Sequence, residues 1–179
     1  ELQLTDYGIS GIPVFQLSRT VNYLLREKQE VMAQIDFLPD LPPEDYEKLQ
    51  AGRKLLQGDR TAEEFFTGIL HKKLTSSLLK MTGIRLATPM KEIPEEKIRN
   101  YYRLCRALKL HITESNPYEN AQVSAGGVDV KEVEPTMESK LCPGVYFAGE
   151  ILDVDGRCGG YNLQWAWSSG YLAGHHAAL

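Results

Sequence analysis

Crosslinking chemistry is scarce in this chain of 179 residues: it has three cysteines, Cys105, Cys142 and Cys158, and no C-x-x-C spacing. An odd count without that spacing argues against a disulfide framework, and it predicts a reducing, cytoplasmic setting. No apolar run approaches the ~20 residues of a membrane span. No segment reads as a signal peptide or lipidation site, and no membrane partner is expected. Also missing is G-x-G-x-x-G: the clusters Gly8/Gly11, Gly126/Gly127, Gly144/Gly149, Gly156/Gly159/Gly160 and Gly170/Gly174 all fail that spacing. A complete dinucleotide-binding half, with its ribose-binding acid, is therefore excluded from this sequence.

What is present suffices for a core. With 42% hydrophobic residues and a length at which about 70% of the unfolded surface is buried on folding, the chain needs neither metal nor crosslink. Charge is unevenly spread: Pro43 to Lys109 holds 14 Lys and Arg against 9 Asp and Glu, a balance of +5, and the remainder holds 6 against 15, or −9. Such asymmetry predicts two regions with different surfaces. A +5 balance spread over several helices reads as a solvated face, and nucleic acid is not expected as a partner.

Leu2 and Leu4 read as the end of a strand that begins before residue 1. The turn Asp6 to Pro13 hands over to a helix with Val14, Leu17, Val21, Leu24 and Leu25 at helical spacing, and Pro13 suits its first turn. Val31, Ala33, Ile35 and Phe37 alternate with Met32, Gln34 and Asp36 and predict a half-buried strand. From Pro43 to Lys109 the punctuation is helical. Pro43 opens one helix, Thr61 and Glu64 form a capping box for a second, Gly83 ends a third, and Pro94 opens a fourth. In the fourth, Ile98, Tyr101, Tyr102, Cys105 and Leu108 form one apolar stripe, which reads as packing. Strand patterns are then expected at Leu108 to Ile112, Ala121 to Ala125, Val128 to Val133 and Val145 to Ala148. A helix from about Asn162 to Leu179 closes the chain, with Ala166, Gly170 and Gly174 on one face open to another backbone.

Several motif matches fail. From Asp153, the sixth position of a calcium loop would be Cys158 and the twelfth Gln164, so calcium is rejected. Ser77 to Lys80 matches S-x-x-K but lies in an amphipathic helix without its companion motifs. His175 and His176 point about 100° apart on a helix and cannot share a metal. No metal site is expected.

The segment "EILDVDGRCGGYNLQWA", Glu150 to Ala166, survives the same scrutiny. Gly159 and Gly160 stand directly before a helix whose first N–H groups are unpaired and carry the positive end of its dipole. Such a start favours an anion or an electron-rich carbonyl, and Glu150 can accept hydrogen bonds from sugar or polyol hydroxyls. On spacing alone, a ligand cradle and a ligand-free turn capped by Asn162 both remain open.

The run from Ala121 to Gly174, above all "TMESK", "FAGE", "LDVDG" and "GGYNLQWA", resembles the bacterial NAD(P)/FAD-dependent oxidoreductase flavoproteins of the aminoacetone oxidase and bile-acid-intermediate reductase type. "TDYGISGIPVFQLSR", Thr5 to Arg19, resembles a second motif of that family, with Asp6 in place of its usual His and Gly11-Ile12-Pro13 in place of its Gly-Pro. Between Thr20 and Asn120 the likeness is one of layout. The resemblance implies a split FAD-binding domain whose N-terminal piece carries the dinucleotide fingerprint. By the same likeness, Gly149 and Glu150 would face the ribityl and pyrophosphate region, and Gly159, Gly160, Tyr161 and Asn162 would offer donors to the pyrimidine edge of the flavin. Donors there would stabilise negative charge on the reduced ring.

The expected fold class is α+β: a strand-rich region over 1–42 and 110–134, a helical insertion over 43–109, and a C-terminal strand-loop-helix over 135–179 from the split domain. The expected function is that of a fragment of an FAD-dependent oxidoreductase, inactive alone and holding FAD weakly or not at all, with NAD(P)H or oxygen as redox partner of the whole. No catalytic residue is assigned. The competing class is a non-catalytic module that uses the basic helical insertion to bind an acidic partner. Strand edges and a Gly-faced helix left without the missing N-terminal half also predict self-association.

Overall fold

The computed structural model describes residues 1–56 and 58–179. The chain divides into two compact units, one formed by Glu1–Val31 with Thr113–Leu179 and the other by Met32–Ile112. The class is mixed α and β, with two small two-stranded sheets among the described residues.

The second unit carries strand β3 (Val31–Ile35, its first residue at the boundary), helices α2 (Pro43–Lys54), α3 (Ala62–Phe66), α4 (Lys72–Met81) and α5 (Glu95–Ala107), and strand β4 (Leu108–Ile112), which pairs with β3. Local chemistry sets each boundary. Pro43 occupies the first turn of α2 with Glu44 and Asp45 beside it, where acids meet the positive end of the helix dipole. Thr61 and Glu64 form the expected capping box: the Thr61 N–H donates to Glu64 Oε2 at 2.8 Å and the Glu64 N–H to Thr61 Oγ1 at 3.4 Å. The α4 C-terminus closes with Gly83 N–H on Lys80 O at 3.0 Å and Ile84 N–H on Leu79 O at 2.9 Å, a Schellman pattern.

This unit holds the larger core. Tyr101, Tyr102, Cys105 and Leu108 of the α5 stripe are buried, as expected, while Ile98 is half-buried. Their partners are Phe66, whose ring centroid lies 4.2 Å from that of Tyr101 and 5.8 Å from that of Tyr102, and Tyr46, whose hydroxyl donates to Tyr102 O at 2.7 Å. Each fully buried aromatic of this kind contributes about 2–3 kcal/mol. Burial also pushes the Cys105 thiol up to about 11 and the Tyr102 hydroxyl up to about 12.

The first unit contains β1 (Leu2–Leu4) and β2 (Ile9–Gly11), antiparallel with Gln3 opposite Ser10, then α1 (Ile12–Arg26) and the closing helix α6 (Tyr161–Ala177). Strand β2 lies inside what the sequence reading takes as a turn. Helix α1 has the expected spacing but no buried residue, and Leu17 is 62% exposed.

Three expected strands do not form. Ala121–Ala125 and Val145–Ala148 carry no strand, and Val128–Val133 contains a 3-10 turn at Val130–Glu132. What pairing exists there is a set of single bridges: Val128 with Leu152, Val133 with Ser139, and Glu138 with Tyr146. The reason is punctuation. Pro135 and Pro143 lack donors, and positive φ at Gly126, Gly127, Met137 and Gly144 turns the backbone out of register every few residues. The region is therefore a bridged coil rather than strand-rich.

Candidate functional site

The site is built from the coil that precedes α6 and from the first turn of that helix. Its base is Gly149, which opens a 3-10 turn over Gly149–Ile151 with φ +75. Its N–H donates to the Oγ of fully buried Ser169 at 2.9 Å, and its carbonyl accepts from Trp165 Nε1 at 3.2 Å. Both Gly149 backbone groups are thereby spent on α6. A Cβ at Gly149 would stand 3.7 Å from that of Ala166, so one member of the small-residue face is met by backbone, while Gly170 and Gly174 lie open.

Glu150 is exposed, and its Oε1 accepts from the Ser124 N–H. The following residues are held from behind by Gly127 and Val128. The Val128 N–H donates to Ile151 O at 2.8 Å and the Asp153 N–H to Val128 O at 3.0 Å. A Cβ on Gly127 would fall 2.3 Å from Ile151 O, so no larger residue allows this approach.

Two carboxylates follow, Asp153 and Asp155, and both meet Arg19 of α1. Its Nη2 lies 3.1 Å from Asp153 Oδ1, and its Nη1 pairs with Asp155 Oδ2. Hydrogen bonding and charge from Asp155, then the charge of Asp153, raise the guanidinium pKa further above its ordinary value. Next comes Gly156, whose backbone is gripped by the Asn162 side chain: Gly156 N–H donates to Asn162 Oδ1 at 2.6 Å and Asn162 Nδ2 donates to Gly156 O at 3.3 Å.

Asn162 is therefore not a helix cap. The N-cap of α6 is Gly160, at φ 97 and ψ −7, with no side-chain capping bond, and Tyr161 is the first helical residue. The first amide of the helix with an i−4 acceptor is that of Gln164, on Gly160 O at 2.9 Å, so those of Tyr161, Asn162 and Leu163 have no acceptor within it. A Cβ on Gly159 or Gly160 would find nothing within 4 Å, and the Tyr161 side chain is 64% exposed. The outcome is a bare, left-handed backbone turn leading into three unpaired donors at the positive end of a 17-residue helix. That donor set suits an electron-rich carbonyl or an anion.

All six expected site residues fall along this path: Gly149 and Glu150 at its base, Gly159, Gly160, Tyr161 and Asn162 at the turn. Arg19, Ser124, Gly127, Gly156, Trp165 and Ser169, which fix the turn, are additions from the structure. Two clefts, of about 80 and 210 Å³, belong to the second unit, the first lined by residues that include Glu63, Leu70 and Leu86 and the second by residues that include Gly83, Ile93 and Lys97. No helix is long and apolar enough to cross a membrane among the described residues, and no group of three His, Cys, Asp or Glu there could hold a metal ion.

Comparison with known proteins bears on what this turn serves. The chain is 46% identical over 179 residues to the 3-dehydro-bile acid delta(4,6)-reductase of Clostridium scindens, an alignment covering 99% of this chain and 44% of that protein. It is 35% identical over 172 residues to the ribosomal RNA dihydrouridine synthase of Haemophilus influenzae, covering 96% of this chain and 40% of the relative. With the Escherichia coli enzyme of the same name the identity is 31% over 174 residues, covering 95% and 40%. The chain thus spans less than half the length of these curated relatives. The family model described as HI0933-like protein Rossmann domain matches residues 25–176, from the end of α1 through the glycine turn and nearly all of α6. The chain belongs to this HI0933-like family of flavoprotein oxidoreductases.

Proposed function

We propose that this chain is one part of an FAD-dependent oxidoreductase and supplies the turn and helix that close the flavin site. The observation that carries the proposal is the bare Gly159-Gly160 turn before the unpaired amides of Tyr161, Asn162 and Leu163, in a member of a flavoprotein family. Residues 135–179 would complete a flavin domain whose other part bears the dinucleotide fingerprint, and the helices of 43–109 form an insertion into it.

In this reading Gly149 and Glu150 lie toward the ribityl and pyrophosphate portion, and residues 159–162 meet the pyrimidine edge. When bound, the flavin supplies hydride or electron transfer. The chain's own work is electrostatic. Fixed N–H donors at the start of α6 sit where negative charge gathers, and they need no reorganisation when it appears. Asn162 acts through its backbone amide, since its side chain is engaged with Gly156, and no side chain here is assigned a proton transfer.

NAD(P)H is proposed as the reductant of the whole enzyme, with oxygen as the alternative redox partner. The 46% identical relative is named for a 3-dehydro bile acid, so a steroid substrate is to be assayed ahead of ribosomal RNA, which is named for relatives of 35 and 31% identity. The chain alone should hold FAD weakly and turn nothing over. The test is the flavin content of the purified chain: a colourless protein with less than about one-tenth equivalent of flavin supports the proposal, and a stoichiometric yellow complex overturns it.

A further inference from the structure

The Arg19 contact has no assigned purpose in the reading above. It joins positions 136 and 134 residues apart, far more than any of the other ion pairs among the described residues. It also meets two carboxylates, at i and i+2, on the loop that leads into the glycine turn. We propose that Arg19 is the positioning residue of that turn, holding Asp153 and Asp155 so that the first amides of α6 stay open to a ligand. The proposal rests on the flavin reading of residues 159–162.

The geometry gives a short relay. Asp155 precedes Gly156, and Gly156 is gripped by Asn162 of the first turn of α6. Upstream, Val128 pins Ile151 and Asp153 through two backbone bonds of 2.8 and 3.0 Å. The segment from Ile151 to Gly156 is thus held at one end by Val128, at the other by Asn162, and between them by Arg19.

Charge explains why a cation is needed between. Asp153 and Asp155 stand a few residues before a helix whose positive end attracts carboxylates. Without Arg19 they repel one another, and Arg157 and the unpaired amides of residues 161–163 are the compensating charges that follow on the same stretch of chain. A carboxylate that caps α6 would occupy the donors assigned to the flavin. Arg19 gives both acids a partner elsewhere, on the side of α1.

The Arg19 side chain is 53% exposed, and exposed ion pairs contribute little to global stability. Its removal should therefore act locally. The test compares wild type with Arg19→Gln, Arg19→Lys and Asp153→Ala/Asp155→Ala. Hydrogen exchange of residues 150–165 should speed up at least three-fold in Arg19→Gln, with the helical unit unchanged and Arg19→Lys intermediate. In wild type that exchange should also rise with salt from about 0.05 to 1 M, because ions screen the pair, and in Arg19→Gln it should not.

FAD fluorescence quenching gives the second readout. Arg19→Gln should weaken it at least three-fold. Adding Asp153→Ala/Asp155→Ala to Arg19→Gln should restore it, since side chains without an acceptor no longer compete for the α6 amides. Unchanged exchange overturns the positioning role. Faster exchange with unchanged quenching, or no rescue by the double alanine variant, overturns the competition with the flavin. A wild-type chain that never quenches FAD overturns the flavin reading instead, and the exchange comparison still judges the Arg19 contact by itself.

Discussion

The side-chain amide of Asn162 satisfies both backbone polar groups of Gly156, accepting from its N–H at 2.6 Å and donating to its carbonyl at 3.3 Å. This relationship decides how the residue acts: the loop before α6 is fastened to the helix, and only backbone donors remain at the helix start. Gly156 is required by the same contact, because a Cβ there would stand 2.9 Å from both Asn162 Oδ1 and Tyr161 Cβ.

Substitution on either side should loosen the turn. Asn162→Ala leaves the half-buried Gly156 groups without their partner and should cost about 1–2 kcal/mol. Gly156→Ala forces the loop off the helix and should cost about 1–3 kcal/mol. Urea denaturation checks both, and the double variant should cost less than the sum, since each change breaks the same contact.

Gly160 separates backbone strain from ligand access. At φ 97 with nothing within 4 Å of an added Cβ, Gly160→Ala should cost about 1–2 kcal/mol, from the backbone alone. Gly144→Ala, at φ +82 and equally open, should cost about the same. If the turn faces a flavin, only Gly160→Ala should also reduce FAD quenching. Equal effects of the two variants on quenching would contradict that assignment.

Cys105 should be inert where Cys142 and Cys158 react, since it is buried and they are exposed. A thiol reagent at pH 8 should titrate two thiols in the folded chain and the third only in denaturant. Burial raises the Cys105 pKa from 9.0 to about 11. The unfolded thiol therefore ionises first, and the stability linked to this group is complete below pH 9 and lost as pH climbs through 11. Burial raises Tyr46, Tyr101 and Tyr102 in the same direction. Urea midpoints should fall with alkali in that window, and a flat profile from pH 8 to about 11 would count against this core.

Helix α6 leaves Leu163, Trp167 and Tyr171 at helical spacing and 61%, 69% and 73% exposed, with Gly170 and Gly174 open beside them. Such a stripe should make the chain self-associate at high concentration. Light scattering should show a mass that rises with concentration and a fall toward monomer in Trp167→Glu. A strictly monomeric wild type at high concentration would contradict the expectation.

Sequence made some of this legible and hid the rest for identifiable reasons. Helices of the second unit were readable because Pro43, the Thr61/Glu64 box, Gly83 and Pro94 are local signals, and the α5 stripe keeps one period throughout. Residues 121–148 misled because short apolar alternations there are cut by Gly and Pro, and a period of two cannot reveal that a partner strand is missing. The apolar spacing of α1 marked a helix correctly but said nothing of burial. Gly159 and Gly160 stood out by spacing, and the position of Asn162 beside them suggested a cap. Its actual partner, Gly156, and the meeting of Arg19 with Asp153 and Asp155 depend on tertiary placement, which no periodicity encodes.

The most direct test is titration of FAD with the purified chain, following fluorescence quenching beside a Gly160→Val/Asn162→Ala double variant. The account predicts weak, saturable quenching by wild type that the variant loses, the behaviour of half a flavin site. Quenching that survives unchanged in the variant, or a complex as tight as a resident cofactor, would contradict it.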